Sequence, residues 1–394
     1  MIMIKIPGFF GSGVHAGIKK KGGKDLALIF SDVPAKAAGV FTTNIVKAPP
    51  VEVGMERIKS GYCQAVLINS GVANAVTGKE GLKNSLLTSK YAADELGIGK
   101  RLVIPSSTGV IGPQLPTDKI KKALPKLVSE LRADGFLDVA EGIMTTDAFP
   151  KYAVKQISVG REKGIIAVIG KGAGMIAPDM ATMLAYILTD VNVGKRALSK
   201  ALKNTVKNSF NKIIVDGDMS TNDTVLMLAN GKLGNPAIIE SGAEYRKFEK
   251  AVIEVATEVA EMIVKDGEGA TKVVKIVVKG AKTEKDAEKI ARVLGSSQLV
   301  KTAFFGEDPN WGRILAAAGR AGVTFNPDKI DLFFDDQKIL ANSRVVMNEK
   351  KAQSVLKKPK FEITLNIKSG EAHSFVIASD LTLDYIKINA HYRT

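Results

Sequence analysis

An α/β or α+β fold, with two sheets and helices outside them, is predicted for this chain by three observations. Apolar runs of strand length alternate with segments of helical apolar spacing from one end of the sequence to the other. At 394 residues the chain is long for one simple domain, so two domains or one large multilayer sandwich fit its size. Hydrophobic residues at 45% and charged residues at 25% supply an ordinary core and an ordinary surface, with no tandem repeat and no low-complexity linker.

Taken in order, Leu26–Phe30 and Ala65–Asn69 are short apolar runs that read as buried strands. Gly78–Leu96 carries apolar residues at helical spacing, and Lys119–Leu131 does too, with Pro125 as an expected kink or break. Leu102–Ile104 is a further apolar run. Tyr152–Val159 and Gly164–Gly170 flank a charged turn and read as a hairpin. Met183–Leu188 is the next strand, followed by a helix over Lys195–Phe210, a strand over Thr224–Ala229 and a long helix over Ala243–Lys265. Lys272–Lys279 alternates as a strand, and Thr283–Leu294 and Arg313–Arg320 read as helices. The C-terminal part is β-rich, with strands expected at Lys329–Phe334, Phe361–Ile367 and Ser374–Ile377. Lys350–Lys360 is expected to be a mobile surface loop and Leu381–Ile388 a strand-like end.

Composition excludes several classes of function. No run reaches about 18 apolar residues, so no membrane span is expected. The N-terminal MIMIKIPGFFGSG lacks a secretory signal's basic start and sustained apolar core. A single cysteine, Cys63, excludes an intrachain disulfide and a multi-cysteine metal site, and a cytoplasmic location follows as the default. The net charge of +15 invites a nucleic-acid reading, but the basic residues are scattered and aromatics are only 6%, so a lysine-rich solvated surface is expected instead.

The most informative stretch is KGAGMIAPDMATMLAY, Lys171 to Tyr186. A glycine-rich turn with a proline runs straight into Thr182 and then into an apolar strand. A threonine hydroxyl needs something to take its proton, and the three histidines, His15, His373 and His391, carry no local catalytic signature. An N-terminal threonine supplies its own base, because an α-amine has a pKa of roughly 7.7–8.0. Thr182 would gain one if the Ala181–Thr182 bond broke by attack of its own hydroxyl on the Ala181 carbonyl. An ordinary threonine opening a strand fits the local residues as well.

Other segments have paired readings. SSTGVIG, Ser106 to Gly112, is either a plain turn or a source of oxyanion-stabilising N–H groups at Thr108 and Gly109. MTTD, Met144 to Asp147, supplies hydroxyls suited to a substrate carboxylate, with Asp147 as an alternative helix cap. DGEGATK ends the long helix at a glycine turn in which Glu268 could hold a cation. DGDMSTND, Asp216 to Asp223, is like an oxygen-ligand cation loop but lacks the terminal glutamate and register, so no metal is expected there.

Together these segments resemble the ornithine acetyltransferases of arginine biosynthesis, the glutamate N-acetyltransferase family. The resemblance runs over the whole chain through DLALIFSDVPAKAAGVFTTN, INSGVANAVTG, SSTGVIG, MTTD, KGAGMIAPDMATML, DMSTNDT, DGEGATK, FGEDPNWGR and the closing YRT. Val72 stands where the family commonly has asparagine, and His391 where it is often acidic. The resemblance implies an αββα sandwich with a smaller β-rich C-terminal domain. It implies self-cleavage into an alpha chain, residues 1–181, and a beta chain, residues 182–394, joined in a heterotetramer of two of each. Thr182 matches the nucleophile, and Thr108 with Gly109 the oxyanion hole. Thr145, Lys171, Thr182, Glu268, Asn389 and Thr394 match the substrate-binding positions, with Glu268 toward the substrate's side-chain amine. The implied reaction is ping-pong transfer of acetyl from N2-acetylornithine to glutamate, without metal or organic cofactor. Acetyl-CoA is a further donor for some members. Alternatives are an aminopeptidase-like hydrolase on the same scaffold and a non-catalytic basic binding protein.

Overall fold

The computed structural model describes residues 5–20, 22–177 and 183–391. The first elements are β1 (Phe9–Val14), β2 (Leu26–Phe41), α1 (Pro49–Arg57), β3 (Tyr62–Val72), α2 (Gly78–Leu96), β4 (Val103–Val110), α3 (Thr117–Ser129) and α4 (Phe136–Gly142). There follow β5 (Lys151–Val159), β6 (Glu162–Lys171), β7 (Leu184–Thr189), α5 (Lys195–Asn208), β8 (Ile213–Ile214), β9 (Thr224–Ala229) and α6 (Gly242–Lys265). The rest are β10 (Val273–Ala281), α7 (Glu284–Ser296), α8 (Gln298–Phe305), α9 (Trp311–Gly319), β11 (Asp331–Phe334), β12 (Gln337–Ala341), β13 (Arg344–Val345), α10 (Glu349–Leu356), β14 (Lys360–Asn366), β15 (Ala372–Ser379) and α11 (Leu383–Ala390).

Two compact units result, one of Met1–Gly172, Asp179–Asn211 and Met219–Ile263, the other of Ala173–Pro178, Lys212–Asp218 and Val264–Thr394. The first holds an eight-stranded sheet in the order β4-β3-β2-β9-β7-β6-β5, with β1 also on β2. The long strand β2 pairs with β1 along Leu26–Ser31 and with β9 along Lys36–Phe41. Two parallel pairs, β3 with β4 and β7 with β9, need crossovers, and helices α2 and α5 lie in them. Strand β7, LAYILT, is buried at every position, which is why it reads as a continuous apolar run rather than an alternating one. Alternation divides β2 and β3 between two cores. Ile29, Val66 and Ile68 pack with Phe136 and Val139 of α4, while Leu28, Leu67 and Val103 pack with Leu124 and Leu127 of α3.

The second unit is built on a seven-stranded sheet in the order β13-β12-β11-β14-β10-β15-β8. Val274, Ile276 and Val278 of β10 point to one face, against Ile290, Ala291 and Leu294 of α7. Thr283 caps α7 by accepting the Asp286 N–H.

The predicted strands and helices of the middle of the chain fall where the spacing puts them, and several expectations need correction. Helix α3 runs through Pro125 without ending, because Pro125 is exposed while Ile120, Leu124 and Leu127 anchor the buried face. SSTG is part of strand β4 rather than a turn, hydrogen-bonded to β3 with a register shift at Gly71–Val72. The expected loop at Lys350–Lys360 contains α10, capped by Asn348, with Ala352, Val355 and Leu356 buried. The strand-like end is helix α11, because Thr382 accepts the Tyr385 N–H at 3.2 Å and starts a helix. Strand β1 and helices α1, α4 and α8 are additions, being short or weakly patterned.

Candidate active site

In the first unit the strand β4 end is crowded. Thr108 is buried, and Gly109 has φ 128, where a Cβ would lie 2.3 Å from the Gly71 carbonyl carbon, so only glycine fits. Ser107 Oγ donates to Asn69 Oδ1 at 2.6 Å, and Asn69 Nδ2 donates to the Val72 carbonyl at 2.8 Å. These bonds hold the GVANA turn against β4.

Asp147 caps no helix. Its carboxylate accepts the Lys151 ammonium at 2.6 Å, the Thr145 N–H at 2.9 Å and the Gly172 N–H at 2.8 Å. Burial alone would raise its pKa, but Lys151 and Lys171 overcome this and hold it below the usual carboxylate range. One carboxylate therefore ties together the backbone at Thr145 and the backbone just after Lys171. Lys171, the last residue of β6, is buried. Lys19 lies in the same charge cluster, its pKa lowered by burial against the pull of Asp25 and Asp147.

The strand that follows the proposed nucleophile is anchored at its first described residue. Met183 donates its N–H to Asp223 Oδ1 at 3.0 Å, and Met183 O accepts the Thr224 N–H at 3.2 Å. Asp223 is 1% exposed, and burial drives its pKa well above the normal range, with the Met183 N–H and Lys171 opposing. Its neighbour Asn222 donates to Ala73 O at 2.7 Å and to Ser107 O at 2.9 Å. Asn222 Nδ2 and Asp223 Oδ1 thus go to backbone partners.

In the second unit, Glu268 is buried and accepts Asn389 Nδ2 at 2.8 Å, so two of the candidate substrate residues meet there. The Glu268 N–H donates to Ala173 O at 2.9 Å, and a Cβ at Gly174 would fall 2.5 Å from the Glu268 carboxyl. Asp216 accepts the N–H groups of Met175 at 2.6 Å and Ile176 at 2.8 Å, holding Met175 at φ 59. Thr182, Ala181 and Thr394 lie outside the described residues. Among the described residues, no cluster of three or more His, Cys, Asp or Glu suits a metal ion, and no helix is long and apolar enough to cross a membrane.

Residue types single out Glu268 as a possible cation holder, Lys171 enters only through the family resemblance, and Asp147, Asn222, Asp223 and Asp216 as organisers of backbone N–H and C=O groups are missed. Their signal was present in MTTD and DGDMSTND, which combine carboxylates with adjacent backbone turns.

The fold is of the α/β class, with one sheet in each unit and helices packed against it. A family model described as the ArgJ family matches residues 11–394. The chain is 46% identical over 393 residues to the arginine biosynthesis bifunctional protein ArgJ of Geobacter sulfurreducens, covering 99% of this chain and 100% of that one. It is 47% identical over 394 residues to the protein of the same name from Syntrophotalea carbinolica, covering 100% of each. Among solved structures, it is similar to the arginine biosynthesis bifunctional protein argJ of Bacillus halodurans, with TM-score 0.51 and 35% identity, over 52% of this chain and 97% of that one. The chain belongs to the ArgJ family, and it is a bifunctional enzyme of arginine biosynthesis.

Proposed function

We propose that the chain cuts itself between Ala181 and Thr182 and then moves the acetyl group of N2-acetylornithine to glutamate. What carries this reading is the full-length identity to arginine biosynthesis bifunctional proteins. In the cut, Thr182 Oγ bonds to the Ala181 carbonyl carbon as the C–N bond breaks, and the hydroxyl proton passes to the released amine. Water hydrolyses the ester, leaving an Ala181 carboxylate and a free Thr182 hydroxyl. The new α-amine, with a pKa of roughly 7.7–8.0, then takes the proton of its own hydroxyl.

Acetyl transfer proceeds in two halves. Thr182 attacks the acetyl carbonyl, Thr108 and Gly109 stabilise the oxyanion, and ornithine leaves with the proton from the Thr182 amine. The glutamate amine then attacks the acetyl ester, giving N-acetylglutamate and regenerating the hydroxyl. Thr145, Lys171, Glu268, Asn389 and Thr394 are the proposed substrate-binding residues, with Glu268 for the side-chain amine. Its buried carboxylate is suited to a cation. Acetyl-CoA as a second donor, an assembly of two alpha and two beta chains, and a cytoplasmic setting belong to the same proposal.

Intact-mass measurement tests the first step. Two species meeting at Ala181/Thr182 are expected for the wild type and a single uncut species for Thr182→Ala. A wild-type chain that stays whole yet transfers acetyl groups overturns the processing step. Incubation of acetylornithine with and without glutamate tests the second, with N-acetylglutamate expected. Release of free acetate at the same rate whether or not glutamate is present would assign the chain to hydrolysis instead.

A further inference from the structure

We propose that the pair Asn222–Asp223 is the positioning element of the nucleophile, Asp223 holding the peptide that follows Thr182 and Asn222 the peptide that precedes Thr108. The inference rests on the reading of Thr182 as nucleophile and adds two residues that this reading leaves without a role.

The Met183 N–H belongs to the peptide plane shared with Thr182. Asp223 Oδ1 accepts that N–H at 3.0 Å, and Met183 O accepts the Thr224 N–H at 3.2 Å, so Asp223 is assigned the orientation of that plane. Met183 is thus held on both its N–H and its carbonyl. The same logic applies on the other side. The Ser107 carbonyl and the Thr108 N–H share a plane, and Asn222 Nδ2 grips that carbonyl at 2.9 Å while gripping Ala73 O at 2.7 Å. Asn222 is itself immobilised. Its Oδ1 accepts the Thr221 hydroxyl at 2.6 Å, and its N–H donates to Ser220 Oγ at 3.0 Å. Two consecutive residues thus tie the strand after the nucleophile to the strand bearing the oxyanion candidates.

A second observation separates this from ordinary strand-end chemistry. Asp223 is buried, and its Oδ2 has no hydrogen-bond partner among the described residues. Thr42 and Ser220 hydroxyls lie close enough to ease its burial but do not reach bonding geometry on that oxygen. A buried carboxyl with an unsatisfied oxygen is costly to a fold, and such groups concentrate where chemistry is done. Lys171 is the charged group whose field reaches it.

The test compares wild type, Thr182→Ala, Asp223→Ala, Asp223→Asn and Asn222→Ala, with thermal unfolding followed on each. Misplacement of a reacting group costs about a hundredfold, so Asp223→Ala is expected to slow self-cleavage by about that factor. Asparagine keeps an acceptor for the Met183 N–H, and Asp223→Asn is expected to recover all but about tenfold of the rate. Once cut, Asp223→Asn and Asn222→Ala are expected to lose kcat with KM unchanged, because neither residue is assigned to the substrate. Should Asp223→Ala fail to fold, the asparagine variant carries the comparison. Cleavage of Asp223→Ala at the wild-type rate overturns the inference alone, as does a loss falling on KM or one that asparagine does not recover. A wild-type chain no more cleavable than Thr182→Ala overturns the nucleophile reading and this inference with it.

Discussion

Asp147→Ala removes one carboxylate that serves three donors inside the first unit. Both side chains of the Asp147–Lys151 pair are fully buried, so water cannot replace the lost charge without rearrangement. Breaking a buried ion pair from one side costs about 3–5 kcal/mol. The Thr145 and Gly172 N–H groups also lose their acceptor, each at about 1–3 kcal/mol if nothing replaces it. A loss of about 4 kcal/mol or more is expected, large against a total stability of about 5–15 kcal/mol. Urea unfolding followed by far-ultraviolet circular dichroism measures it, in a Thr182→Ala background so that every chain is whole. Lys151→Met and the double variant complete a cycle. The double variant is expected to be less damaged than the sum of the singles by about 2 kcal/mol, since it leaves no buried charge behind. Additivity within about 0.5 kcal/mol would refute the reasoning, because the pair would then not be coupled. Asp147→Asn, tested in the self-cleaving chain, is expected to raise KM for the acetyl donor by about tenfold, or about 1.4 kcal/mol, through looser Thr145 and Lys171 backbones.

Gly109→Ala places a Cβ against the Gly71 backbone at a φ that alanine rarely adopts, and should cost about 3 kcal/mol or more. An unchanged urea midpoint would contradict this. Burial pushes the Cys63 thiol up to about 12, so Ellman's reagent should leave it untouched in the folded protein and titrate it after denaturation. Rapid native reaction would show the strand pair around it opens. Asp223 binds a proton in the folded chain at pH values where the unfolded chain, with a carboxyl near about 3.9, has released it. Stability should therefore fall as pH rises upward from about 4, and Asp223→Asn should remove that slope. Equal slopes in the two chains would count against a protonated Asp223. Finally, β7 and β9 come from beyond the proposed cut yet lie between β2 and β6, which come from before it. The two pieces should co-elute natively and part only in denaturant, and native separation would contradict this sheet order.

How much of the site could be read beforehand depended on what each residue does. Glu268 in its glycine turn and Asn389 near the chain's end are legible as polar candidates, Lys171 only through the resemblance, and the structure brings Glu268 and Asn389 within hydrogen-bond reach. Asp147 at the end of MTTD also suits a helix cap, but its partners at Lys151 and Gly172 are set by β5 and β6. SSTG looked like a turn from its small residues. Its pairing with β3 depends on how Gly71 and Gly109 pack, which local propensity does not encode.

By itself, the order of residues determined the alternation of helices and strands, the α/β class and the family, because apolar periodicity and short motifs are local properties of the chain. Tertiary structure alone decided which strands became neighbours, where β7 and β9 insert, and which carboxylates hold which backbone N–H groups. Asp223 shows the physical reason. Its environment comes from Met183, forty residues earlier, and its proton affinity comes from burial that exists only once the sheet has closed around it.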